Sequence, residues 1–216
     1  METVDILEAL AIILALVLAI IGHEIMHGYV AYRYGDTTAK NAGRLSINPL
    51  VHVDLIGTIL LPALLYFSDA SFMFGWAKPV PIYTPTVIRN GGYNAAIHVS
   101  LAGIAYNFAL ALFCILLFNL FFNSNIESYT AYFFAFFLVQ CIKYNIVLGI
   151  FNLYPLPPLD GSHALTYFSA RMGWRKIVEF YTSMERYGML IVILFIATPL
   201  SKYFFAPIGY VLKLIF

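Results

Sequence analysis

Between Ala9 and Tyr32 the only charged side chain is Glu24, and the stretch is long enough to cross a hydrocarbon core that needs about 20 apolar residues. An ionisable group at that depth costs about 2.5–3.5 kcal/mol on insertion scales, which makes it a mark of function by default. Here the group comes with company, in the run Gly22-His23-Glu24-Ile25-Met26-His27-Gly28. On a helix, His23 and His27 lie about 40° apart and one turn above each other, with Glu24 about 100° from His23. Two imidazoles on one stripe can hold one metal ion, and the adjacent carboxylate can reach a water bound to it, the mechanical sense of H-E-x-x-H. The same pattern occurs by chance in proteins that bind no metal. Its position inside an apolar span argues against chance, because lipid offers no partner to a stray His or Glu.

The rest of the chain has the same character. With 62% hydrophobic residues, 11% charged residues and a mean hydropathy of +0.83, the expectation is an all-α polytopic membrane protein, a single integral membrane domain over 1–216. It is expected to have four to six transmembrane or re-entrant helices and a short re-entrant extended or β segment. A net charge of +1 without a Lys/Arg block excludes a nucleic-acid partner. Cys114 and Cys141 lie in apolar runs without C-x-x-C spacing and read as helix packing. The first residues carry no basic region, so the apolar run behind them does not read as a cleaved signal peptide.

Four spans are expected, at about 6–32, 97–122, 129–151 and 187–216, the last kinked or folded into a hairpin by Pro199 and Pro207. Leu55 to Phe67 is too short for a full crossing and reads as re-entrant or buried. If it does not cross, Arg33, Lys40, Arg44, Lys78 and Arg89 share a side with Arg171, Arg175, Lys176 and Arg186. The positive-inside rule then puts the N-terminus outside and His27 toward the cytoplasmic end of its span.

Gly75-Trp76-Ala77-Lys78-Pro79-Val80-Pro81-Ile82-Tyr83-Thr84-Pro85, with Phe74 before it, reads as extended chain, because its prolines exclude a helix. Pro79, Pro81 and Pro85 withdraw donors, while Lys78, Val80, Ile82 and Thr84 keep full backbone pairs on the other edge. A strand of this kind would bind an unwound substrate by β-addition. A plain surface loop anchored by Trp76 is the other reading.

Asp160 is the sole acidic residue between Glu127 and Glu179. It follows the prolines of Asn152-Leu153-Tyr154-Pro155-Leu156-Pro157-Pro158-Leu159, which break the third span at the depth assigned to His27. It is the natural third ligand, against the alternative that Asp160-Gly161 is a turn or a helix cap. Asn107 either orients the site or contacts substrate, or is a buried amide bonding across helices. Asp54 reads as an N-cap and His52 as an interfacial residue, both with a supporting or gating role near the metal open.

The order of these motifs, H-E-x-x-H in the first span, Ala102-Gly103-x-x-x-Asn107 in the second and N-x-x-P-x-P-P-L-D-G after the third, resembles the site-2 protease family of intramembrane zinc metalloproteases. Gly43-Arg44-Leu45-Ser46-Ile47-Asn48-Pro49 and Gly75-Trp76-Ala77-Lys78-Pro79 are similar to its short bacterial and archaeal members, and the likeness spans about 6–170, the expected catalytic core. The resemblance implies one Zn2+ on His23, His27 and Asp160, Glu24 as the catalytic carboxylate, and Asn152 near the reacting carbonyl. Ile104 stands where the family usually has proline, and His163 where a small or basic residue is commoner, leaving His163 open as an alternative or auxiliary ligand. The expected substrate is the transmembrane helix of another membrane protein, with a homo-oligomer or a regulatory membrane partner open. A metal transporter or sensor using the same ligands is the rival from another class, and a zinc protease acting on soluble or lipidated peptides is a second. Both fit less well, since the polar groups gather at one depth and the third ligand is an aspartate.

Overall fold

The computed structural model describes residues 3–68, 75–122 and 128–216; Phe74 and the interior of the Phe122–Tyr129 loop lie outside them. Among the described residues there is no strand. The helices are α1 (Thr3–Arg33), α2 (Thr38–Asn41), α3 (Leu61–Phe67), α4 (Thr84–Phe121), α5 (Tyr129–Leu153), α6 (Asp160–Arg171), α7 (Arg175–Glu185), α8 (Gly188–Ala197) and α9 (Ser201–Ile215). A 3-10 turn at Pro49–His52 and a π-helical stretch at Leu55–Leu60 precede α3.

Among the described residues three helices, α1, α4 and α5, are long and apolar enough to cross a membrane. They pack together, and the packing follows from side-chain size. Along α1 the residues at every fourth position, Ala11, Ala15, Ala19, His23, His27 and Ala31, are all buried. Small residues in such a row let backbones approach closely, which drives helix association where lipid removes the hydrophobic driving force. Ala15 sits with Ala111 and Cys114 of α4 and Leu138, Cys141 and Ile142 of α5, while Ala31 sits with Val87, Ala95 and Val99 at the other end of α4. Leu10, Ile13, Leu14 and Leu18 are exposed on the outer face of α1, as a lipid-facing surface requires.

The second span was expected from residue 97, whereas α4 begins at Thr84. Its first turns are set off by Gly92, whose φ of 66° breaks the helix. The stretch 187–216, expected as a kinked span or a hairpin, forms two helices. Residues 198–200 separate α8 from α9, and α9 packs back on α5. The candidate for a fourth crossing is instead α7 with α8, bent by 73°. Leu55 to Phe67 stays a short element, opened by Asp54 as N-cap, whose Oδ1 accepts from the Ile56 and Gly57 amides at 3.1 and 2.6 Å. Cys114 and Cys141 are both free and buried in the helix core, as packing residues.

Residues 75–83 form neither helix nor strand, and amides on the edge expected to be free are bonded within the protein. The amides of Trp76 and Lys78 donate to Gly57 O (3.1 Å) and His52 O (2.9 Å), and the Val80 amide donates to Glu24 Oε2 (2.9 Å). Lys78 O accepts from the buried Arg44 guanidinium at 2.5 Å, Thr84 opens α4, and Ile82 packs against Val87, Ala95 and Val99. The amides of Lys78 and Val80, expected to face substrate, are therefore taken by the fold, as is that of Tyr83, which lies off the alternation.

Candidate metal centre

His23 and His27 leave α1 toward α4 and meet Asp160 at the first turn of α6. His23 Nε2 and His27 Nε2 lie 3.0 and 3.1 Å from Asp160 Oδ2 and 3.1 Å from each other. Each imidazole is oriented from behind. His27 Nδ1 lies 2.7 Å from Val99 O, which can only accept, so the proton is on Nδ1 and the Nε2 lone pair faces inward. His23 Nδ1 lies 2.6 Å from Asn107 Oδ1 with the same result.

Three lone-pair atoms thus converge, all within 4.8 Å of one another, and Asp160 Oδ2 is buried without a hydrogen bond. A buried carboxylate oxygen with no donor is costly; a cation at the meeting point supplies what is missing. Two imidazoles and a carboxylate are the donor set of catalytic zinc, which keeps a fourth position open. The residues present fit the ion.

Two glycines make the convergence sterically feasible. A Cβ on Gly103 of α4 would lie 2.5 Å from His27 Nε2 and 2.6 Å from His23 Cε1. A Cβ on Gly161 would collide with the Leu153 carbonyl at the end of α5, so glycine lets α6 turn back and carry Asp160 over the imidazoles. Asp160 is not a capping residue: α6 begins without a side-chain cap.

Glu24 points beside the ligands. Its Oε2 is held by the Val80 amide, and its Oε1 has no partner among the described residues. A cavity of about 870 Å³ opens over the cluster, lined by His23, Glu24, His27, Asp160, Asn152 and by side chains from α7 and α8.

The other sequence candidates fall apart from the ligands. Asn107 is fully buried and bonds across helices; it orients His23 and is not a substrate contact, which corrects that expectation. Asn152 lines the cavity, with Nδ2 donating to Leu148 O at 3.1 Å. His163 is outside the ligand cluster and lies 3.7 Å from Glu185 Oε1 on α7. His52 is buried, with Nε2 2.8 Å from Ser46 O, and braces residues 75–83 by accepting from the Lys78 amide through its carbonyl; neither it nor Asp54 lines the cavity. Sequence reading passed over Asn145, held Gly103 only as part of a motif, and gave the Val80 backbone to substrate and not to Glu24. An uncharged amide inside a span is a signal that would have found Asn145; a backbone donor leaves no trace in residue type.

A buried His, His, carboxylate cluster on apolar helices, with a free carboxylate oxygen beside it, defines a membrane metalloenzyme with hydrolytic equipment. The model of peptidase family M50 matches residues 122–196. The chain is 33% identical over 199 residues, 91% of its length and 84% of the relative's, to the Bacillus subtilis (strain 168) protein named "Putative zinc metalloprotease YwhC". It is 28% identical over 185 residues, 85% of its length and 65% of the relative's, to the Mycolicibacterium smegmatis protein named "Putative zinc metalloprotease Rip2". No solved structure matches the chain. The chain belongs to peptidase family M50, the site-2 protease family, and is a membrane zinc metalloprotease.

Proposed function

We propose that the protein hydrolyses peptide bonds within or next to transmembrane segments of other membrane proteins, from the cytoplasmic side of a prokaryotic cell membrane. The observation that carries this reading is the position of the ligands. His23 and His27 sit on the packed face of a helix apolar enough to span the membrane, under a cavity lined by α6, α7 and α8.

In this reading His23, His27 and Asp160 hold zinc. When bound, zinc supplies a Lewis acid and a readily deprotonated water. Glu24 would accept a proton from water on the oxygen the Val80 amide leaves free, and would return it to the departing amine. Asn152, at the cavity wall, offers an amide hydrogen toward charge developing on the carbonyl oxygen. Helical carbonyls are shielded by their own hydrogen bonds, so the substrate must unwind locally before it reaches the cluster.

Charge supports the orientation. The ends of α1 and α5 and the start of α4 share one side with the cations from Arg33 to Arg89 and from Arg171 to Arg186. Purified protein reconstituted with single-span substrates, the products mapped by mass spectrometry, tests the whole reading. Wild type should cut near the cytoplasmic end of the span, and Glu24→Gln should lower the rate about 10²–10⁴-fold while keeping its zinc. Cuts confined to soluble segments would overturn the intramembrane assignment, and loss of zinc from Glu24→Gln would overturn the role of Glu24.

A further inference from the structure

Behind Asn107 stands a second fully buried amide, Asn145 of α5, which the catalytic reading leaves without a task. Its orientation is dictated by a backbone group. Cys141 O can only accept, so the atom 2.8 Å from it is Asn145 Nδ2. Asn145 Oδ1 is thereby turned to Asn107, whose Nδ2 donates to it at 2.8 Å and to Ala19 O at 3.2 Å. With both Nδ2 hydrogens committed, Asn107 has only Oδ1 to offer His23 Nδ1, at 2.6 Å. An amide oxygen cannot donate. The imidazole proton therefore sits on Nδ1, and the lone pair of Nε2 faces Asp160 and His27.

We propose that Asn145 is a positioning residue that fixes the tautomer of His23 through Asn107 and so sets the affinity for zinc. The proposal rests on His23 being a zinc ligand. If the Asn107 amide flipped, Nδ2 would face Nδ1, the imidazole proton would move to Nε2, and the ligating lone pair would be lost. Ala19 O opposes the flip from a longer distance, and Asn145 Oδ1 adds the shorter bond. Removing Asn145 should thus weaken the bias without abolishing it.

Two variants and one spectrum separate this from a packing role. Asn145→Leu keeps the bulk and removes the acceptor. Asn145→Asp, in the neutral acid form that a buried carboxyl adopts, keeps an acceptor for Asn107 and a donor for Cys141 O. Metal-free, histidine-15N-labelled wild type should show His23 protonated at Nδ1, the signal being assigned by its absence in His23→Ala. Asn145→Leu should show a growing population protonated at Nε2 and a zinc dissociation constant raised about 10–100-fold. Asn145→Asp should bind zinc within about threefold of wild type, where outer-shell loss costs 10-fold or more. The proposal falls if wild-type His23 carries its proton on Nε2, if Asn145→Leu binds zinc normally, or if Asn145→Asp is as weak as Asn145→Leu. Should Asn145→Leu fail to fold, the wild-type spectrum and Asn145→Asp still decide. Undiminished zinc binding by His23→Ala would remove the ligand assignment and the proposal with it, whereas the other failures remove the amide lock alone.

Discussion

At the scale of single residues, the site is a contest for Asp160. Two imidazole nitrogens reach the same carboxylate oxygen, and that oxygen has no hydrogen bond. Asp160→Ala should therefore empty the metal site and abolish cleavage. His163→Ala, which touches Glu185 and not the cluster, should keep its zinc, as metal analysis of the two purified variants would show. Full occupancy in Asp160→Ala with loss in His163→Ala would exchange their roles. The ligands were legible in the sequence because ionisable groups in an apolar span need a purpose. The orienting groups were less so. Asn107 reads from the sequence as an orienting group, a substrate contact or helix glue, and only its partners show that all its capacity is consumed inside the protein.

At the scale of elements, residues 75–83 form a tether and not an open strand. Val80→Pro removes the amide that holds Glu24 Oε2. It should lower kcat about 10²-fold, the cost of a small misplacement at a reacting centre, while zinc content stays full. Val80→Ala, which keeps the amide, should be much milder in the same cleavage assay. Normal turnover by the proline variant would show that Glu24 needs no such support. The far end of the tether is fixed by Asp36, which accepts from the Thr38 amide (3.0 Å), the Thr38 hydroxyl (2.5 Å) and the Tyr83 amide (2.6 Å). Burial pushes the Asp36 carboxyl up, but these three donors outweigh it and hold it below its ordinary value of 3.8. A carboxylate depressed in the folded state stabilises above its unfolded pKa, and that contribution is lost as pH falls through the folded value. The stability difference between wild type and Asp36→Asn should be constant from about pH 7 to 5 and shrink below about pH 4, as denaturation in detergent would measure. The prolines exclude a helix, and residues 75–83 are indeed not helical. That the spared amides are taken depends on Gly57, His52 and Glu24, which lie outside the segment, and no local pattern encodes that.

At the scale of the molecule, the membrane character, the three long spans and the convergence of the first and third on one metal site were all present in hydropathy and motif order. The path of 187–216 was not: its prolines left a kink and a hairpin both open and said nothing of the 73° bend between α7 and α8. The row Ala11, Ala15, Ala19, His23, His27, Ala31 carries the largest consequence. The seam that joins α1 to its neighbours and the stripe that presents the imidazoles are the same row of side chains. Catalyst and clasp are therefore one device: whatever binds His23 and His27 to Asp160 also rivets the first helix to the segment after the third. An ion that binds only the assembled state at about 1,000 times its dissociation constant adds about 4 kcal/mol to it. Stripping zinc should lower the melting temperature of the wild type and leave that of Asp160→Ala unmoved, so for this enzyme running short of metal would mean coming apart as well as falling idle.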